Sequence, residues 1–301
     1  MLGKLNLVKL GVLAIVLCGL VTVLHLPRLQ GQNEVADVAQ PGAPLSGVVR
    51  SPKNPLQVAI LHWYNANQTA SFPVGTEPTG VAFDGGNIWV VNDSNSTVSK
   101  LRASDGTTLG TFAVGFFPFG VAFDGANIWV TDAASNNVSK LRASDGSTLG
   151  TFAVGTEPTG VAFDGANIWV ANFGSNKVTK LRASDGTTLG TFAVGTNPEG
   201  VAFDGANIWV ANESSNNVTK LLASSGATLG TFAVGTHPIG VAFDGANIWV
   251  ANAFSNNVTK LRASDGTTLG TFAVGMFPQG VAFDGANIWV ANTVSNTVSK
   301  L

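Results

Sequence analysis

Glu199, Glu213 and His237 are the side chains whose types and spacing could do chemistry. Two carboxylates and an imidazole can pass protons among themselves or hold a divalent ion. They are read as falling on consecutive copies of a repeated unit, which would let them converge. Glu77, Asp93 and Glu157 occupy related positions, as do the aromatics Phe116, Phe117, Phe119, Phe173, Phe254 and Phe277. Exposed aromatics are costly unless covered, so they read as a partner or ligand patch, or as loops packed on each other. The candidate binding residues are therefore Glu77, Phe117, Glu157, Phe173, Glu199, Glu213, His237, Phe254 and Phe277. Scattered solvated side chains would give the same pattern. The sequence assigns no catalytic residue, no metal and no cofactor.

The elements that must position these residues are set by a repeat. VAFDGANIWV begins at residues 121, 161, 201, 241 and 281, and VAFDGGNIWV at 81, so the period is 40 residues. Each unit divides into four short strands. In the copy from residue 160, strand a is 161–163 with its flanks, b is 167–172, c is 178–183 and d is 189–194. Asp-Gly between apolar runs is a hairpin signal, and four strands per repeat of this length predict a propeller blade. No helical period is present. The fold class is thus all-β, a six-bladed β-propeller. Residues 58–75 align with 98–115, so N-terminal and C-terminal strands are expected to pair and close the ring, because an open one leaves unpaired edges. Both 58–63 and 297–301 look like strand c.

Comparison between the copies shows where specificity can reside. The a–b turn (Asp-Gly-Ala-Asn) and the c–d turn hardly change, while variation gathers in the d–a and b–c loops. Antiparallel strands alternate direction, so both variable loops should emerge on one face, around the mouth of the central channel. That face is the expected recognition surface, since sites favour loops on a rigid scaffold; drift of exposed loops is the plainer reading. The six strand-b tryptophans, from Trp89 to Trp289, read as blade packing rather than sugar stacking. Asp84 and its equivalents read as turn formers, one carboxylate being too few for a calcium cage. Arg102/Asp105, Arg142/Asp145, Arg182/Asp185 and Arg262/Asp265 occur together, and Leu222/Ser225 lose both members, so the two side chains are expected to interact.

The unit P-x-G-V-A-F-D-G-A-N-I-W-V-A-N-x-x-S-N-x-V resembles the bacterial YVTN/NHL-type propeller repeats, including those of virginiamycin B lyase-like proteins, over about residues 57–301. The resemblance implies the propeller fold and, as a second reading, a metal-dependent lyase-like enzyme. The lyase family follows the strand-b aromatic with an acidic residue. Here that region reads VAN, VVN or VTD, and the family's His/Glu cluster has no counterpart by motif.

Sixteen basic against eighteen acidic residues, with no basic stripe, argue against a nucleic-acid partner. The single cysteine, Cys18, allows neither a disulfide nor a thiolate metal site within one chain. Lys4 and Lys9 precede an apolar stretch from Leu10 to Leu26. Residues 1–30 thus read as a signal peptide or membrane anchor, 31–55 as a flexible linker and 56–301 as the propeller. The expectation is an exported, monomeric binding or interaction module, periplasmic, extracellular or anchored to the outer face of the cytoplasmic membrane. Its partner would be a protein, peptide, cell-wall component or small molecule, and any membrane contact would run through the N-terminal segment. A structural cell-surface repeat protein is the remaining alternative.

Overall fold

The computed structural model describes residues 14–16 and 71–301. Within 71–301 the repeat folds as a six-bladed β-propeller whose only helical turn is Phe173–Ser175. Blade 3 shows the plan. Its strands are a (Pro158–Phe163), b (Asn167–Asn172), c (Lys177–Arg182) and d (Thr188–Ala193), antiparallel in the order a-b-c-d. Strand a starts at Pro78, Pro118, Pro198 and Pro238 in blades 1, 2, 4 and 5. Blade 6 has three strands among the described residues: Pro278–Phe283, Ile288–Asn292 and Thr297–Lys300. Strands c and d begin and end one residue earlier than the sequence suggests. Ala183 has already left the ladder, its N–H donating to Ala166 O, and Val194 N–H donates to Asn176 O in the b–c loop.

The invariant residues of the unit are the ones that join blade to blade. Five apolar clusters form between consecutive blades; Trp169 and Val178, for example, pack with Ile208, Val210 and Leu221 of blade 4. The Trp169 ring lies 5.5 Å from Phe192, and its Nε1–H donates to Asp164 Oδ2 at 2.8 Å. Asp164 Oδ1 meanwhile accepts the N–H groups of Ala166 and Asn167. The Asp-Gly-Ala-Asn turn is therefore invariant because its carboxylate ties the hairpin and holds the core indole. Lys180 is buried, lies 5.0 Å over the Trp169 ring and donates to Ala223 O and Ser224 O of the next blade. The backbones of neighbouring blades approach closely at the P-x-G glycine. A Cβ on Gly200 would sit 2.2 Å from Ile239 O, so only glycine admits the neighbouring strand.

The tryptophans are core residues, as expected, with one graded exception. Trp89, Trp129, Trp169 and Trp209 are fully buried, whereas Trp289 is 38% exposed. In blade 5, Val258 pairs with Phe272 of strand d and is fully buried; its counterpart Val298 is 63% exposed beside no described strand d. Of the segment 58–75 expected to close the ring, 58–70 lies outside the described residues, as do the linker and most of the N-terminal segment, and 71–75 forms no strand. Residues 297–300 serve as strand c of the last blade. Ala14–Val16 forms a strand parallel to strand a of blade 1, with Ala14 opposite Gly80, and also lies beside strand a of blade 6. The expected arginine–aspartate pairs form, at 3.0–3.1 Å in all four copies. In the fifth, Ser225 Oγ accepts Ala227 N–H instead.

Candidate functional site

Hydrogen bonds separate the two rims of the propeller. On one rim each b–c loop is tied to the d–a loop of its own blade: Phe173 N–H donates to Glu157 O, Glu213 N–H to Asn197 O and Ala253 N–H to His237 O. On the other, the start of each c–d turn is tied to the a–b turn, as Ala223 N–H is to Ala206 O. The variable loops thus share one rim and the uniform hairpins the other.

The variable rim has a fixed backbone. Glu77, Phe117, Glu157, Asn197, His237 and Phe277 all have φ between 51° and 61°, the left-handed region that costs most side chains roughly 1–2 kcal/mol. Asparagine side chains of the preceding blade hold four of these residues there. Asn136, Asn176, Asn216 and Asn256 Oδ1 accept the N–H of Glu157, Asn197, His237 and Phe277, each at 2.9 Å. Side chains can therefore change at these positions while the loop stays in place.

Four of the candidates come together on this rim between blades 4 and 6. His237 Nε2 meets Glu213 Oε1 directly. The His237 ring stacks on Phe254, with centroids 3.9 Å apart and planes 4° from parallel. Phe277 lies 6.4 Å from His237 and 5.7 Å from Phe254. Burial pushes Glu213 up and His237 down, which favours the neutral form of each. Phe254 is 61% exposed, and Met276 and Val294 extend the apolar surface beside it.

Glu199 is placed differently from the expectation that it belongs to a loop on its own blade. It lies in strand a of blade 4, the same blade that carries Glu213, while His237 precedes blade 5. The P-x-G position brings Thr79, Phe119, Glu199, Ile239 and Gln279 to a cavity of about 90 Å³ at the inner strands. Phe119 likewise belongs to this channel rather than to the outer rim. Protein atoms crowd Glu199 on every side, yet a water-sized sphere reaches it from the channel, so its exposure is intermediate. Burial, and then the facing Glu213, push its carboxyl up to about 8.

The other candidates do not join this group. Glu77 accepts a hydrogen bond from Ser94 on blade 1. Phe116 and Phe117 are exposed in the loop leading to blade 2. Glu157 and Phe173 sit on blade 3, where Phe173 O accepts from Asn197 Nδ2. Among the described residues no group of three or more His, Cys, Asp or Glu is arranged to hold a metal ion. Glu213 and His237 form a directly contacting polar pair, and Glu199 faces Glu213.

Two further residues stand out in the structure. Asp132 replaces the strand-b asparagine of the other blades and is fully buried. Its oxygens accept Ser139 Oγ–H at 2.7 Å and Gly115 N–H at 3.0 Å, and burial raises it to about 6 despite these bonds. Gln279 is buried at the channel wall and accepts from Thr293 Oγ1. Asp132 is readable in the sequence as the lone departure from asparagine at its strand-b position, whereas the position of Gln279 differs in nearly every unit, so its burial is not.

No family model matches the sequence, and no curated protein matches it. Solved structures do. A streptogramin B lyase superposes with a TM-score of 0.63 at 20% identity, over 77% of this chain and 84% of that one. The catalytically inactive virginiamycin B lyase from Staphylococcus aureus with quinupristin gives 0.65 at 18% identity, over 74% and 80%. The chain has the virginiamycin B lyase-like propeller fold. Kuenenia stuttgartiensis hydrazine synthase also matches, with a TM-score of 0.54 at 17% identity, over 78% of this chain and 98% of that one. Lyase and synthase share the scaffold, so the scaffold does not choose the chemistry.

Proposed function

We propose that this propeller is a binding module that recognises its ligand with the rim formed by the d–a and b–c loops. The observation that carries the reading is the assembly of Glu213, His237, Phe254 and Phe277 beside Glu199, five non-repeated side chains brought together on a backbone that is otherwise repeated. Exposed aromatics next to a directly contacting polar pair suit a ligand with an apolar body and a polar group. The basic and apolar N-terminal stretch supports export, with the module acting outside the cytoplasmic membrane.

A thermal-shift screen of small molecules and peptides tests this. Ligands that stabilise the protein should lose their effect in Glu213→Ala and Phe254→Ala, and keep it in Asp185→Ser on the uniform rim. Stabilisation indifferent to the first two substitutions contradicts the proposal.

The directly bonded His237 and Glu213 favour a second reading, a lyase-like enzyme in which the pair transfers a proton. The inactive virginiamycin B lyase of similar fold was solved with quinupristin, which makes that compound the first substrate to try. Turnover of quinupristin that is lost in His237→Ala would support the enzyme. No turnover across divalent ions and pH would leave the binding module.

A further inference from the structure

Among the described residues, the polar side chains along the channel wall other than Glu199 each make at least one hydrogen bond. Thr79 Oγ1 donates to Phe119 O at 3.0 Å, and Thr159 Oγ1 to Pro198 O at 3.1 Å. Gln279 Oε1 accepts from Thr293 Oγ1 at 2.7 Å. The Glu199 carboxyl has neither a hydrogen bond nor an ion pair among the described residues, and the charged group that faces it is the like-signed Glu213. Glu213 is itself committed to His237. Strand a begins next to the d–a loop, so Glu199 stands at the end of the channel that opens on the variable rim. The cavity beside it, about 90 Å³, holds several waters or one short chain end. Outside the opening lie the exposed Phe254, the partly exposed Phe277 and Met276.

We infer that the channel mouth takes an organic cation, whose ammonium or guanidinium group enters beside Glu199 while its apolar body lies on Phe254 and Phe277. This deepens the rim proposal and rests on it. A buried carboxyl without a partner is costly ionised, and an incoming positive charge removes that cost. An anion would meet two acidic side chains. A bare metal ion would find one uncommitted carboxyl where it needs several ligands. Aromatic faces at the opening add apolar contact for the body of the ligand. Binding such a cation ionises Glu199, so it releases a proton, and affinity rises with pH as the solution approaches the value of about 8 at which the free carboxyl titrates.

Isothermal titration with phenethylammonium and its neutral analogue 2-phenylethanol tests the assignment. The expected results are tighter binding of the ammonium by about tenfold or more and proton release that scales with buffer ionisation enthalpy. Glu199→Gln should fold with an equal or higher Tm, since it removes a buried acid, and should reduce the preference to about one. Phe254→Ala should weaken both probes alike. Absence of phenethylammonium binding at millimolar concentration overturns the inference, as does a preference that survives Glu199→Gln or loss of the ammonium to equimolar Mg²⁺. Equal binding of the two probes, with NMR shifts on the rim, also overturns it while leaving the rim proposal standing.

Discussion

The two rims are built by the same strands, but they use their side chains for opposite purposes. On the uniform rim almost every polar side chain is spent on the scaffold. Asp164 holds its hairpin and the indole of Trp169, and the c–d turn supplies the carbonyls that Lys140 grips from the neighbouring blade. Changing any of these breaks a joint repeated around the ring. On the variable rim the scaffold bonds are made by backbone and by a loop asparagine present in five of the six units, as where Asn216 holds His237 N–H. The side chains of positions 77, 117, 157, 197, 237 and 277 are released from structural duty, which is why they can differ. A repeat protein gains specificity this way, by fixing loop geometry with one set of residues and leaving another free for contact.

That contrast can be broken by substitution. Trp209→Ala, at a fully buried joint between blades 4 and 5, should lower stability by roughly 3–5 kcal/mol in chemical denaturation. An effect under about 1 kcal/mol would show that the blades are not held as described. Asp132→Asn should act in the opposite sense. Its folded value, about 6, lies above the ordinary 3.8, so its contribution is intact below pH 4 and lost as the pH rises through 6. The substitution should therefore raise stability at pH 7 by about 3 kcal/mol and change it little at pH 4. The new amide can donate to Ser139 as Asn92 does to Ser99. Equal effects at the two pH values would mean that Asp132 is ionised in both. Lys180→Met leaves Ala223 O without its buried donor and should cost about 1–3 kcal/mol, despite being an exchange of similar shape. Phe254→Ala on the variable rim should stay within about 0.5 kcal/mol, because that ring is mostly exposed. A large loss there would turn the aromatic patch into a structural one.

The architecture is legible in the sequence because a period of 40 residues repeats the same signals six times. Strand b of blade 3 is readable to the residue from NIWVAN, and the Arg182–Asp185 contact is readable from the joint loss at Leu222 and Ser225. The site is legible in part. Loop variation points to His237, Phe254 and Phe277, and these do meet. The same rule also selects Glu77, Glu157, Phe117 and Phe173, which do not, because position along a repeat says which rim a residue occupies but not which neighbours it touches. Sequence alone puts Glu199 on a loop because Pro198 reads as a turn residue. In the fold that proline opens strand a, and the next side chain points into the channel. The indole–carboxylate bond of Asp164 and Trp169 and the lysine joints are not legible, since pairing across a hairpin or between blades requires the register and the ring.

Contact through the variable rim is measured most directly by chemical-shift mapping of the assigned protein against a panel of small aromatic amines, acids and alcohols. The predicted result is that shifts gather on residues 199, 213, 237, 254 and 277 and their loop neighbours, with the Asp-Gly-Ala-Asn turns unmoved. Shifts centred on those turns, or spread evenly over both rims, would contradict it.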